Sequence, residues 1–145
     1  MTNFFKEFRS SRGGHETIRD CEILGLYDMV SYLNYHFDVS KSTMVEVGIY
    51  AGQSTHVFSQ YFKKVHAVDP WMDLDEYEGD MKVIEAVFDR FKAPNVIKHK
   101  KTSVEAAKDI KDKSVDFIYL DARHELEYIL EDINVWLPKL KDSGW

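Results

Sequence analysis

The sequence predicts an α/β fold, in which a doubly wound parallel sheet is covered by helices on both faces. Short, almost wholly apolar runs alternate with segments whose apolar residues recur every three or four positions. Such short runs, buried on both faces, are typical of parallel strands. The chain has 145 residues, of which 44% are hydrophobic, and this suits a single domain with one sizeable core.

The first half of the chain contains a helix followed by two strand–helix units. Residues 1–14 are polar and end at a glycine pair, so we expect a flexible amino-terminal arm, with the domain itself at 15–145. A helix with one apolar stripe is predicted at about 16–37. Strands are predicted at 44–48 and 65–69, and a helix capped by Ser54 is predicted between them, at 55–62.

The second half repeats the unit twice more. Apolar residues at helical spacing predict a helix at 81–91, and Pro94 separates it from a strand at 96–99. A short helix at 104–110 precedes the strand at 115–120, and a last helix at 126–136 ends before Pro138. In a doubly wound sheet, the ligand lies at the carboxyl ends of the strands, at the switch point beside the first strand.

Composition and charge exclude several classes of function. Nineteen basic against 25 acidic residues give a net charge of −6 without a basic block, so we expect no nucleic-acid partner. The single cysteine, Cys21, cannot form an intramolecular disulfide. Because the first thirty residues are polar and no apolar run reaches membrane length, we expect a cytoplasmic protein without a membrane partner.

The turn after the first strand is the strongest candidate for a ligand site. Gly48 allows a tight turn there, and Gly52 allows a ligand or a helix to approach the backbone. Asp69 follows the second strand 21 residues after Gly48, about where an acid that binds ribose hydroxyls is expected. The full G-x-G-x-x-G pattern is absent, and Glu46 would repel a phosphate but could hold an ammonium group. These residues favour a nucleoside that carries an amino acid.

His124 is the candidate for acid–base chemistry, because its pKa range lies near the working pH and it follows the end of the fourth strand. The alternative is a structural role, in which His124 starts the last helix and bonds only the backbone or Asp121. The other histidines show no metal-ligand spacing. Whether a metal ion takes part is left open by the sequence.

Three ordered motifs resemble class I S-adenosylmethionine-dependent methyltransferases, and in particular their small-molecule branch. The run Val45–Thr55, V-E-V-G-I-Y-A-G-Q-S-T, resembles the branch's first motif. Residues 67–71, A-V-D-P-W, resemble its second-strand end, and residues 121–124, D-A-R-H, resemble its D-G-x-H. Residues 137–144 resemble the approach to strand five. The resemblance implies a Rossmann-like domain with S-adenosyl-L-methionine as cofactor.

The resemblance also implies roles for individual residues. Glu46 would face the methionine amino group, directly or through water, and Asp69 would accept both ribose hydroxyls. Trp71 would flank the adenine. The alternative for Trp71 is a packing role at the end of the sheet. The remaining positions implied for the cofactor are Gly48, Tyr50, Ala51, Gly52 and Ser54 at the first turn, Thr102 and Ser103 at the base edge, and Asp121 and Ala122 at the sulfonium end.

Besides Trp71, two of these positions keep a structural alternative, and two residues depart from the family. Tyr50 is equally explained by packing, and Ser103 by a helix N-cap. Ala122 replaces the usual glycine and Leu126 the usual tyrosine, which implies an altered acceptor side. The family's sheet continues beyond strand four, so we expect that the carboxyl-terminal strands are missing and that this chain alone transfers little methyl.

The leading hypothesis is therefore the cofactor-binding part of a methyltransferase, with catalytic residues Asp121 and His124 and a small-molecule hydroxyl or amine as acceptor. The alternatives are a non-catalytic nucleoside-binding module and, disfavoured by the glycine pattern, a nicotinamide-dependent oxidoreductase. The strand at 115–120 is too apolar for an exposed edge. We therefore also expect a homodimer near this strand, with Trp136 and Trp145 helping to cover it.

Overall fold

The computed structural model describes residues 20–72 and 80–145, so the predicted arm at 1–14 lies outside the described residues. None of the described helices is long and apolar enough to cross a membrane. The helices are α1 (Asp20–His36), α2 (Gln53–Ser59), α3 (Met81–Phe91), α4 (Ser103–Ala107) and α5 (Leu126–Trp136). The strands are β1 (Thr43–Val47), β2 (Lys64–Val68), β3 (Val96–His99) and β4 (Phe117–Leu120). Single 3₁₀ turns lie at Val39–Lys41 and Leu137–Lys139.

The described strands form one parallel sheet in the order β3-β2-β1-β4. The central strand β1 pairs with β2 on one side and with β4 on the other, so that Glu46 lies between Ala67 and Tyr119. The order reverses at β1, because β2 and β3 extend to one side and β4 to the other. This confirms the predicted α/β architecture and places the carboxyl ends of β1, β2 and β4 at one edge.

Two apolar cores lie on opposite faces of the sheet, because successive side chains of a strand alternate between the faces. On one face, Met44 and Val65 pack with α1, α2 and α3. On the other face, Val45 and Val47 pack with α4 and with Trp136 of α5. Glu46 is the exception in β1, since this carboxyl group is fully buried.

Two helices begin at residues other than those that the sequence predicts. Helix α2 starts at Gln53 with Gly52 as its N-cap, and no side chain caps it, so the prediction of a Ser54 cap is wrong. Helix α4 starts at Ser103, and Thr102 is its N-cap in a capping box with Glu105. The N-cap alternative for Ser103 is therefore wrong as well.

The far edge of β4 is partly covered by the chain itself. Trp145 donates its backbone N–H to Asp116 O at 3.0 Å and accepts the Ile118 N–H at 3.0 Å. Of the two tryptophans expected to help cover this strand, Trp145 therefore does so within the chain, through its backbone. Trp136 lies elsewhere, in the core between α5 and the sheet, and so does not cover this edge.

One face of α5 remains exposed. Its apolar side chains recur at helical spacing and point to solvent, with exposed fractions of 72% for Leu126, 50% for Leu130 and 41% for Ile133. Leu137, in the turn that follows, is 62% exposed. The side of α5 that packs on the molecule carries Asp132 and Trp136.

Candidate functional site

A cavity of about 1280 Å³ opens at the carboxyl ends of the strands. Its walls come from the turns after β1, β2 and β4, from the start of α4, and from α1 and α5. The volume exceeds the usual range for small-ligand pockets, roughly 300–1,000 Å³. There is therefore room for a cofactor together with a second small molecule.

Gly48 joins the turn after β1 to the turn after β4. Its φ is +90°, and a Cβ at this position would meet Asp121 O at 2.2 Å and Ala122 Cα at 2.7 Å. Only glycine tolerates both that backbone conformation and that approach. The residue thus brings the two turns together at the floor of the cavity.

Glu46 lies beneath this floor and does not line the cavity. Its carboxyl group accepts hydrogen bonds from the hydroxyls of Ser54 and Thr55, the latter at 2.6 Å. Burial raises the pKa of Glu46 to about 8, against the opposing effect of the two hydroxyl donors, and the charges of Asp121 and Asp69 raise it further. Ser54 does line the cavity, so it stands between Glu46 and any ligand.

Asp69 organises the turn that follows β1. Its Oδ2 accepts the backbone N–H groups of Ile49 and Tyr50, both at 2.9 Å, and its Oδ1 accepts that of Trp71 at 2.7 Å. A carboxylate offers about four acceptor positions. In this conformation Oδ1 therefore keeps room for one further donor, such as one ribose hydroxyl.

Gly52 and Trp71 form a packing unit beside the cavity. A Cβ on Gly52 would meet the Phe88 ring at 2.6 Å, so this glycine admits helix α3, one of the two alternatives predicted for it. The Trp71 ring is buried against Phe88, with centroids 5.0 Å apart, and its Nε1–H donates to Tyr50 O at 2.7 Å. Lys98 Nζ lies 4.8 Å from the Trp71 ring centroid.

The turn after β4 is open to solvent. The side chains of His124 and Asp121 are 82% and 48% exposed, and His124 Nε2 lies 4.0 Å from Asp121 Oδ1. Partial burial raises the pKa of Asp121, while His124 opposes that shift. Tyr119 also lines the cavity, and burial, with Asp121 and Glu46 nearby, raises the pKa of its phenol to about 12. An imidazole, a carboxyl group and a phenol therefore meet at this end of the cavity.

Three side chains form a buried series of hydrogen bonds at the cavity wall where α4 meets α5. Trp136 Nε1–H donates to Ser103 Oγ at 2.8 Å, and the Ser103 hydroxyl donates to Asp132 Oδ1. Asp132 is only 6% exposed, and burial raises the pKa of its carboxyl group. Nothing in the sequence motifs indicates Asp132, because its place at the cavity depends on how α5 packs against α4.

The structure brings most of the predicted site residues to one cavity. Predicted residues that line it are Gly48, Tyr50, Ser54, Asp69, Thr102, Ser103, Asp121, Ala122 and His124. Predicted residues that do not line it are Glu46, Ala51, Gly52 and Trp71. Among the residues that sequence reasoning missed are Glu22, Gln53, Tyr119, Tyr128 and Asp132.

The cavity wall is strongly acidic. Its carboxylates come from all sides: Glu22, Asp69, Asp121, Glu125, Glu131 and Asp132. Among the described lining residues, the guanidinium that opposes them is that of Arg123, which binds Glu125 at 2.9 Å and lies 3.8 Å from the Tyr128 ring centroid. Such a wall disfavours a pyrophosphate and favours a ligand with positive charge.

Solved structures share this fold. A provisionally assigned sarcosine dimethylglycine methyltransferase from Galdieria sulphuraria aligns over 97% of this chain and 56% of its own, with a TM-score of 0.66 at 15% identity. An S-adenosylmethionine-dependent methyltransferase from Mesorhizobium loti aligns over 81% of this chain and 49% of its own, with a TM-score of 0.58 at 13% identity. At these identities the likeness establishes the fold, and the chain spans about half of each structure.

Sequence comparison identifies the family. The uncharacterized protein y4gI of Sinorhizobium fredii (strain NBRC 101917 / NGR234) is 33% identical over an alignment of 109 residues, and the match covers 67% of this chain and 12% of that protein. A family model described as a methyltransferase domain matches residues 45–145, from β1 to the last residue. That span contains the turn after β1, Asp69, and the turn after β4. The chain therefore belongs to the methyltransferase-domain family, whose cofactor is S-adenosylmethionine.

Proposed function

We propose that this chain binds S-adenosylmethionine in the cavity and directs its methyl group to a small-molecule hydroxyl or amine. The observation that carries the proposal is the cavity itself, acidic and placed where β1, β2 and β4 end. S-adenosylmethionine carries a sulfonium and an ammonium group against one carboxylate, so its net charge is positive. An acidic wall complements that charge, whereas it would repel the pyrophosphate of a nicotinamide cofactor.

The residues present fit the cofactor in parts that can be named. Asp69 keeps an acceptor position for a ribose hydroxyl, and the backbone of Gly48 and Tyr50 lines the adjoining wall. Ser54 would meet the methionine end, and Glu46 would act on that end through Ser54, since Glu46 itself is shielded from the cavity. Asp121 and Ala122 would lie beside the sulfonium.

When bound, S-adenosylmethionine supplies a methyl group that its sulfonium sulfur has already activated. The chain's own residues then have to orient the acceptor and take its proton. His124 Nε2 would accept the proton of the acceptor hydroxyl or ammonium as that acceptor atom bonds to the methyl carbon. Asp121, 4.0 Å away, would stabilise the protonated imidazole.

The proposed cofactor site is tested by replacing Asp69 with Ala and titrating S-adenosylhomocysteine by calorimetry. Loss of a hydrogen bond to a charged group costs about 1.5–3 kcal/mol, so the dissociation constant should rise roughly 10- to 150-fold. The matched control is Asp89→Ala, because Asp89 also bonds a neighbouring group, Lys98 at 2.7 Å, but lies outside the cavity wall. Equal affinity of Asp69→Ala and the parent would contradict the assignment, and tighter binding of NAD would favour the oxidoreductase.

We also infer that the chain pairs with a second copy of itself on the side of β4 and α5. Leu120 is 37% exposed there, next to the apolar stripe of Leu126, Leu130, Ile133 and Leu137. The two backbone bonds of Trp145 are to Asp116 and Ile118, and no described residue donates to or accepts from the outward backbone of Leu120. An apolar helix face beside an open strand edge supports self-association.

Sedimentation at tens of micromolar measures this pairing. We expect the parent to sediment as a dimer, and Leu130→Lys to shift it towards monomer because a charge would be buried in the interface. Leu24→Lys is the control, since Leu24 is also exposed, at 62%, but lies on α1. A parent that sediments as a single monomeric species would contradict the pairing.

A further inference from the structure

We propose that Asp132 selects adenine in the cofactor by accepting a hydrogen bond from the exocyclic amino group of the base. The inference rests on the proposed function, because it assigns one end of the same cavity. It concerns a residue that the motifs do not contain, on α5 rather than on a strand-end turn. Four features of the structure carry it: the burial of Asp132, the second carboxylate oxygen that binds no described donor, the hydrogen bonds of the neighbouring hydroxyls, and the position of Asp132.

Asp132 is a built feature of the cavity wall and not a solvated surface acid. It is 6% exposed, and its Oδ1 is fixed by the Ser103 hydroxyl, which the Trp136 indole fixes in turn. Burying a carboxylate is costly unless its oxygens find donors. Yet Oδ2 receives no hydrogen bond from any described residue, and no fully buried side-chain oxygen in the described chain lacks a partner. Oδ2 must therefore reach accessible space, and the space that Asp132 borders is the cavity.

The two hydroxyls expected at the base edge are already engaged. The Thr102 hydroxyl donates to Glu105 Oε2 at 2.8 Å within the capping box of α4. The Ser103 hydroxyl donates its one proton to Asp132. Neither hydroxyl has a second proton to donate, so these side chains offer only acceptors, and Asp132 Oδ2 is the acceptor that binds no described donor.

The position of Asp132 matches the end of the cofactor that carries the base. If Asp69 at the end of β2 binds the ribose, the base extends away from β1 and β4 towards the start of α4, where Thr102, Ser103 and Val104 line the cavity. Asp132 lines the same wall through its contact with Ser103.

A group that can only accept hydrogen bonds distinguishes purines by whether their six position carries a donor or an acceptor. Adenine presents an amino group at its six position, which donates, whereas hypoxanthine presents a carbonyl oxygen there, which accepts. A buried carboxylate facing that oxygen would leave two acceptors in contact without a proton between them. A site that is built to hydrogen-bond one group of a ligand strongly rejects an analogue that lacks this group.

The experiment compares S-adenosylhomocysteine with S-inosylhomocysteine, which differ only at this group, by calorimetry on the whole chain. We expect the parent to bind S-adenosylhomocysteine at least about tenfold more tightly. In Asp132→Asn the preference should fall at least about tenfold, because the carboxamide can donate to the hypoxanthine oxygen. Glu127→Gln is the matched control: Glu127 is an exposed carboxylate on the same helix that does not line the cavity, so the parental preference should persist.

A purely structural role of Asp132 would give a different result. Asp132→Asn would then weaken both ligands by the same factor and leave their ratio unchanged, and this outcome overturns the proposal. If Asp132→Asn does not fold, Ser103→Ala serves instead, since it frees the carboxylate from its anchor and should reduce the same ratio. Equal binding of both ligands by the parent also overturns it, while leaving the S-adenosylmethionine site in place. Failure of the parent to bind S-adenosylhomocysteine at all would instead remove the proposed function.

Discussion

The two turns that frame the cavity are built in opposite ways. The turn after β1 is internally bonded: Asp69 holds the N–H groups of Ile49 and Tyr50, and Ser54 binds the buried Glu46. The turn after β4 is exposed, with its acid and its imidazole 4.0 Å apart. A bonded turn is organised before a ligand arrives, which lowers the entropic cost of binding. The turn after β1 is therefore preorganised and the turn after β4 is open; in the proposed function these are the cofactor side and the acceptor side.

Backbone strain follows the same division. Tyr50 and Trp71 both adopt a positive φ, 54° and 44°, which is unfavourable for residues other than glycine. The Asp69 carboxylate binds the N–H groups of both residues, so it compensates the strain directly. No residue from 121 to 125 has a positive φ. We expect substitutions in the two turns to differ in their effect on the stability of the fold, which should decrease from Gly48 to Glu46 to His124.

The largest effect is expected where the two turns meet. Gly48→Ala places a Cβ 2.2 Å from Asp121 O at a φ of +90°, and backbone atoms on both sides cannot yield easily. We expect the free energy of unfolding to fall by about 3 kcal/mol or more, as measured by denaturant unfolding. The control is Gly25→Ala, because a Cβ at Gly25 meets nothing within 4 Å. That substitution lies inside α1 and should stabilise by about 0.5–1 kcal/mol. Similar losses for both variants would contradict the close approach.

A smaller effect, dependent on pH, is expected from the buried acid of the bonded turn. The pKa of Glu46 is raised from 4.5 to about 8 in the folded chain. Between these values the folded chain holds a proton that the unfolded chain has released, so stability falls as pH rises through this window. Glu46→Gln cannot titrate and should flatten the fall, by on the order of 3 kcal/mol between the ends of the window.

The pH dependence is measured by denaturant unfolding at several pH values from 5 to 8. Glu127→Gln serves as the control, because Glu127 is exposed on α5. A Glu46→Gln profile as steep as that of the parent would show that Glu46 is not the titrating group. The amide should also weaken the binding of S-adenosylhomocysteine if Glu46 acts on its amino group through Ser54.

The smallest effect on stability is expected at the open turn. His124→Ala should change the free energy of unfolding by less than about 0.5 kcal/mol, because the side chain is 82% exposed. If His124 is the general base, turnover with a hydroxyl acceptor should nevertheless fall about 10²- to 10⁴-fold. The affinity for S-adenosylhomocysteine should stay close to the parental value. Unchanged turnover would assign His124 a structural role only.

The sequence by itself determined the architecture, and it predicted most of the residues that meet at the candidate site. Periodicity predicted the strands and helices to within a few residues, because burial on one or both faces leaves a pattern in the chain. Glycines with positive φ and an acid at a strand end could be recognised as well, since each meets a local backbone requirement. Gly48 and Asp69 were found in this way.

Tertiary structure decided which side chains reach the cavity. From the sequence, Ser54 could have capped its helix. In the structure its hydroxyl instead donates to the buried Glu46, and Gly52 is the N-cap. Trp71 turns into the core because Phe88 and Lys98 surround its ring. Asp132 lines the cavity only because α5 packs on α4. Its hydrogen-bond partner there, Ser103, lies 29 residues earlier in the chain. Such contacts depend on how distant elements meet, and a residue's own neighbours in sequence carry no record of them.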